Sequence, residues 1–145
     1  MNKNKFEEKT KEALKELDIN RMVFKKGIFM FAFKNVPFEF VDRLPFFLGY
    51  SNETKGYICS CTYPPKVDIN EEVIKLSIAM ISGDWLAKTK VYISKDSTTG
   101  ITQIAVCLND ETIENLPDII TDLFLVSDII FKLIDEKNNL DKHTA

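Results

Sequence analysis

The stretch from Leu116 to Ile134 constrains the fold more than any other part of the chain. Read as a helix from Pro117 to about Glu136, it is apolar over most of its circumference: Ile119, Ile120, Leu123, Phe124, Val126, Ile129, Ile130, Phe131, Leu133 and Ile134. So wide an apolar surface needs two covers. One is a sheet; the other is a second helix or a second subunit. The stretch is not a membrane span, because Pro117, Asp118, Asp122, Asp128 and Lys132 interrupt it. Pro117 suits a first helical turn, where its missing N–H costs nothing. Asn138–Ala145 is polar and reads as a frayed tail. That leaves one domain in 145 residues, with an ordered core from about residue 4 to about residue 137.

The sheet is written upstream. In GIFMFAFKNVPFEF, Gly27 to Phe40, the residues Phe29, Phe31 and Phe33 alternate, as do Phe38 and Phe40. Period-two alternation with aromatic content predicts strands. Arg21–Phe24 leads into a turn at Lys25, Lys26 and Gly27, followed by a strand over Ile28–Lys34. Asn35–Pro37 breaks the pattern, Phe38–Arg43 resumes it, and Leu44-Pro45 interrupts again. Phe46–Tyr50 and Gly56–Tyr63 flank the polar loop of Ser51 to Lys55, a hairpin connection. The Phe29, Phe31 and Phe33 stripe reads as core. The opposite face of the same strand, Ile28, Met30 and Ala32, is apolar too and is the better contact surface.

Helices bracket these strands. Lys3–Leu17 is charged, with a narrow apolar edge of Phe6, Ala13, Leu14 and Leu17. A second helix runs from a capping box at Asp68 and Glu71 to about Ile81. Val73, Leu76, Ala79 and Met80 form one face of it, widened by Ile74, Ile78 and Ile81, and Ser82-Gly83 ends it. Strands at Ala87–Ser94 and Ile101–Leu108 follow, joined by a turn. Hairpin-length connections predict an α+β fold, an antiparallel sheet packed against helices, in the order helix, three or more strands, helix, two strands, helix.

Little in the chain suggests catalysis. A net charge of −3 offers no broad cationic field, so nucleic acid is not an expected partner; Lys25, Lys26 and Lys34 are the only local cations near the Phe stretch. The sole histidine, His143, lies in the polar tail. Cys59 and Cys61 share one strand face, a geometry unsuited to a disulfide, and with Cys107 they read as small buried filler. No metal-ligand spacing and no phosphate-binding glycine motif is present. Glu71 and Glu72 match the dipole at a helix start. Asp118, Asp122 and Asp128 read as a solvated helix face. An enzyme would need a cleft lined by groups such as Asp84, Asp96 and Cys107. Trp85 follows a helix stop and either packs over the sheet edge or anchors an interface.

The second half, EEVIKLSIAMISGDWLAKTKVYISKDSTTGITQIAVCLNDETIENLPDIITDLFLVSDIIFKLIDE, resembles the C-terminal half of the YbjN-type family of bacterial sensory-transduction regulators. The resemblance lies in the order of middle helix, hairpin and long terminal helix, and it implies the fold of type III secretion chaperones, an antiparallel sheet of about five strands in the order α-β-β-β-α-β-β-α. Ser77 stands near the place of an asparagine often found in that family, and Phe24 to Phe47 is richer in phenylalanine than the family pattern. No functional residue is carried over.

The expectation is a non-enzymatic bacterial protein-binding or regulatory protein with no cofactor and no bound metal. It would act as a homodimer or on a protein client, through apolar sheet and helix surfaces at Ile28, Met30, Trp85, Phe124 and Phe131. The alternatives are a client-binding chaperone of the type III secretion kind or a small enzyme. With no export signal, no membrane segment and an odd cysteine count, the expected location is the cytoplasm.

Overall fold

Alternation builds a six-stranded antiparallel sheet. The computed structural model describes residues 1–19, 21–34, 42–64, 67, 69–81 and 90–144, with the side chains of residues 138 and 140–144 outside that description. In chain order the elements are helix α1 (Lys3–Glu16), strands β1 (Met22–Lys25), β2 (Ile28–Ala32), β3 (Pro45–Ser51) and β4 (Gly56–Tyr63), helix α2 (Glu71–Ile81), strands β5 (Val91–Lys95) and β6 (Thr102–Leu108), a single 3-10 turn (Ile113–Asn115), and helix α3 (Leu116–Thr144). The strands lie side by side as β1-β2-β3-β4-β6-β5.

Several expectations change. Arg21–Phe24 is not a lead-in: β1 is a strand of its own and makes the sheet one strand wider than expected. Leu44-Pro45 does not interrupt, because Pro45 opens β3 opposite Ala32; a first strand position tolerates a missing N–H. Asn138 to Thr144 is not a frayed tail in backbone terms, since α3 continues through it. Residues 35–41 and 82–89, which include the expected helix stop at Ser82-Gly83 and the expected strand start at Ala87, lie outside the described residues. Of the extended stretch expected over Phe38–Arg43, Asp42 and Arg43 form a turn, with Arg43 at φ 66°.

The β1–β2 connection shows how local chemistry sets register. Lys26 and Gly27 adopt φ of 55° and 77°, the left-handed pair that a two-residue hairpin turn requires. Lys25 then sits opposite Ile28, and Phe24, Val23 and Met22 opposite Phe29, Met30 and Phe31.

One sheet face carries the core. Phe29, Phe31, Phe46, Leu48, Cys59, Cys61, Tyr63, Ile104 and Val106 are buried there. Helix α1 lays Phe6 on Phe29 and Tyr57, with ring centroids 6.1 and 4.3 Å apart. It is tied to the segment just before α3 by Lys5–Asp110 at 3.1 Å and Lys9–Glu114 at 2.9 Å. Helix α3 packs on β4 on one side and on α1 and α2 on another. Its second cover is therefore helical, and its girth does not demand a second subunit. Phe124 and Phe131, expected at an outward surface, are core residues: Phe124 packs on Phe33 at 4.7 Å and Phe131 on Tyr63 at 5.2 Å.

Helix α2 turns differently from expectation. Ile74, Ser77 and Ile78 are its buried face. Val73, Leu76 and Met80, expected on the inner face, point outward, with Leu76 64% and Met80 86% exposed. Its cap is Asn70 rather than Asp68, which lies outside the described residues: Asn70 Oδ1 accepts from the N–H of Glu72 at 2.9 Å and of Val73 at 3.2 Å.

Candidate functional site

Among the described residues, α1 and α3 pack on one face of the sheet, and no helix packing of comparable extent falls on the opposite face. Its central row follows from the register alone. Val23 lies opposite Met30, Met30 opposite Phe47, Phe47 opposite Ser60, Ser60 opposite Ala105, and Ala105 opposite Tyr92. Side chains alternate between faces along a strand, so this single file across six strands shares one surface. Ile28 and Met30, expected as contact residues, both belong to it: Ile28 is exposed and Met30 half-buried. Trp85 lies outside the described residues.

The next row explains the surface's relief. Gly49 lies opposite Ile58, and Ile58 opposite Cys107. A Cβ on Gly49 would come within 2.9 Å of Ile28 Cγ1, so the Ile28 side chain lies across bare backbone. The result is a shallow depression of about 390 Å³ lined by Ile28, Phe47, Gly49, Tyr50, Ser60 and Gln103. A second, of about 610 Å³, is lined by Val23, Met30, Pro45 and Phe47 among others. Phe47 is the ridge between them. Polar groups on this face are satisfied locally: Gln103 Nε2 donates to Ser60 Oγ at 2.8 Å, and Lys90 Nζ sits 4.7 Å above the Tyr92 ring. The face offers shape and grease with few groups to orient a small substrate.

The groups with catalytic potential are otherwise engaged. Cys59 and Cys61 lie fully buried on the core face. Burial raises both thiols, Cys61 from its ordinary 9.0 to about 12, and Cys59 further still, helped by its neighbour Cys61. Neither supplies a thiolate at neutral pH. Cys107 is half-buried on the open face. Asp96 accepts from the N–H groups of Thr98 at 2.8 Å and Thr99 at 3.4 Å; these bonds hold its carboxyl below the ordinary value, and its role is to shape the β5–β6 turn. Asp84 and the side chain of His143 lie outside the described residues. Among the described residues no three His, Cys, Asp or Glu side chains gather as metal ligands.

Asp118, Asp122 and Asp128 do not form one solvated face. Asp118 is exposed and Asp122 half-buried, while Asp128 is buried and paired with Lys132 at 2.8 Å. Residue type alone gave no sign of this, because the helical phase at Asp128 is set by α3 docking between sheet and helices.

Sequence reasoning also missed a buried polar relay. Ser127 Oγ donates to the Leu123 carbonyl at 2.7 Å, so its lone pairs accept from Tyr63 O–H at 2.8 Å and Cys61 S–H at 3.6 Å. It pins β4 to α3. Ser127 in an otherwise apolar helix run was the available signal.

Among the described residues no helix is long and apolar enough to cross a membrane. Comparison with family models, with curated proteins and with solved structures gives no match to this chain.

Proposed function

We propose that this chain is a non-enzymatic protein-binding protein of the YbjN type, which offers the sheet face opposite α1 and α3 to a protein partner. The observation that supports the proposal is the row on that face, in which Val23 is exposed and Met30, Phe47 and Tyr92 are half-buried around the buried small residues Ser60 and Ala105. The order of helix, strands, helix, hairpin and long terminal helix supports the finer reading of a type III secretion chaperone-like arrangement, with β1 as an addition to it. Three unbridged thiols are in keeping with a reducing compartment such as the cytoplasm.

The test is the response of the folded protein to an apolar dye. The wild type should enhance dye fluorescence, and Phe47→Glu should abolish most of it while circular dichroism stays unchanged, because Phe47 is only half-buried. A wild type that leaves the dye dark under native conditions would remove the proposal's basis.

A second reading is a homodimer, and a different surface favours it. Val73, Leu76 and Met80 recur at helical spacing on α2, all exposed. Sedimentation of wild type against Leu76→Glu/Met80→Glu separates the two: a dimer that this pair dissociates belongs to α2, and one that only Phe47→Glu dissociates belongs to the sheet.

A further inference from the structure

We propose that the outer edge of β1 is a docking strand for an extended segment of a partner protein, one with a short apolar centre flanked by carboxylates. This rests on the protein-binding reading above and names what is bound. Among the described residues, strand β1 is the sheet's outermost member, paired only with β2. Its residues Met22, Val23 and Phe24 are 39%, 54% and 45% exposed, so it is apolar on both faces and only partly covered on each, Phe24 packing on Phe29 at 4.3 Å. The two-residue turn makes Lys25 and Ile28 the hydrogen-bonded closing pair. Alternation then sends the N–H and C=O of Val23 towards β2 and those of Met22 and Phe24 outward. Free backbone groups beside exposed apolar side chains form a template for strand addition.

Charge selects the occupant. The stretch Arg21 to Lys34 holds four cations, Arg21, Lys25, Lys26 and Lys34, and no carboxylate, in a chain whose net charge is −3. On the helical side, cations such as Lys5 and Lys9 are matched by Asp110 and Glu114. Arg21, Lys25, Lys26 and Lys34 form no ion pair among the described residues. A second copy is a poor occupant, because antiparallel pairing of two β1 strands would set Arg21 of one against Lys25 or Lys26 of the other. Like charges directly opposite destabilise a strand pair. A segment with Glu or Asp on both sides of two or three β-branched residues meets Arg21 at one end and Lys25 and Lys26 at the other.

The experiment measures fluorescence anisotropy of the full chain with a labelled heptapeptide, Glu-Glu-Val-Thr-Val-Glu-Glu, and with its Lys-flanked counterpart. The acidic peptide should bind, at least tenfold tighter than the basic one, and weaken several-fold between 50 and 500 mM salt, as expected for exposed charges at about one Debye length. Arg21→Glu/Lys25→Glu should invert the preference. Met22→Pro removes an outward N–H that the sheet does not use, so it should abolish binding without unfolding the protein. Absence of binding by the acidic peptide up to millimolar concentration overturns the proposal. So does equal binding of both peptides. Binding that survives Met22→Pro and the charge reversal but is lost in Phe47→Glu also overturns it, and places the contact on the open face, leaving the broader reading intact. Binding of anionic phosphatidylglycerol vesicles in place of the peptide overturns both.

Discussion

The relay of Tyr63, Ser127 and Cys61 yields an ordering of stabilities that contact counting alone would get wrong. In Tyr63→Phe the lost group is a donor. Ser127 Oγ keeps its bond to the Leu123 carbonyl and still accepts from Cys61, so nothing polar is orphaned. The cost should be about 1 kcal/mol, the net worth of one hydrogen bond. In Ser127→Ala the buried Tyr63 hydroxyl loses its partner. That desolvation penalty is about 1–3 kcal/mol, offset by roughly 0.5 kcal/mol because alanine is the better helix former. The double variant removes both groups and leaves no orphan hydroxyl, so it should be more stable than the sum of the single losses by about 1 kcal/mol or more. Urea titrations of the four proteins, with m held constant, read these differences from the midpoints. Additive losses would refute the reasoning.

The same burial makes a pH prediction. Cys61 is raised by desolvation from 9.0 to about 12, and Cys59 is raised further by the same cause. The folded state holds both protons where the unfolded chain sheds them. Stability from these thiols is therefore whole below pH 9 and is lost as pH climbs towards 12, by on the order of 1 kcal/mol per thiol at pH 10; urea midpoints at pH 8 and pH 10 should show it, and Cys61→Ala should shrink the difference. A thiol reagent at pH 8 should label Cys107 first, with Cys59 and Cys61 reacting only at the rate of unfolding; fast labelling of all three would contradict their burial. Asn70→Ala should cost about 1 kcal/mol through the lost cap of α2, seen as faster amide exchange in Glu71–Lys75. Asp110 and Glu114 are held below the ordinary carboxylate range, chiefly by hydrogen bonds from Lys5 and Lys9. Their contribution is present above that range and lost as pH falls through it, so amide exchange in α1 should rise below pH 4 before the sheet is affected.

Period-two alternation told inside from outside on β2 without any structure: Phe29 and Phe31 are core, while Ile28 is exposed and Met30 half-buried on the opposite face. It worked there because a strand has two faces and the aromatic one fills the larger volume. Helix α2 was legible as a helix but not in its orientation. Val73, Leu76, Ile74 and Ile78 are all apolar, and composition cannot say which ridge docks when both would fit. The partners named on α3, Phe124 and Phe131, failed for the same reason: girth demanded two covers, and sequence could not say that α1 and α2 supply the second.

What the chain's residues determine locally is clear at Lys26-Gly27, where a left-handed pair closes a hairpin, and along α3, whose apolar circumference forces burial. Only the tertiary structure decided which sheet face the helices took, and hence that Phe47 and Tyr92 are half-buried rather than core. It also brought Ser127 to Tyr63, a pairing across 64 positions of chain. Local rules act over a turn or a strand, whereas a face becomes inside or outside only when distant elements choose where to pack.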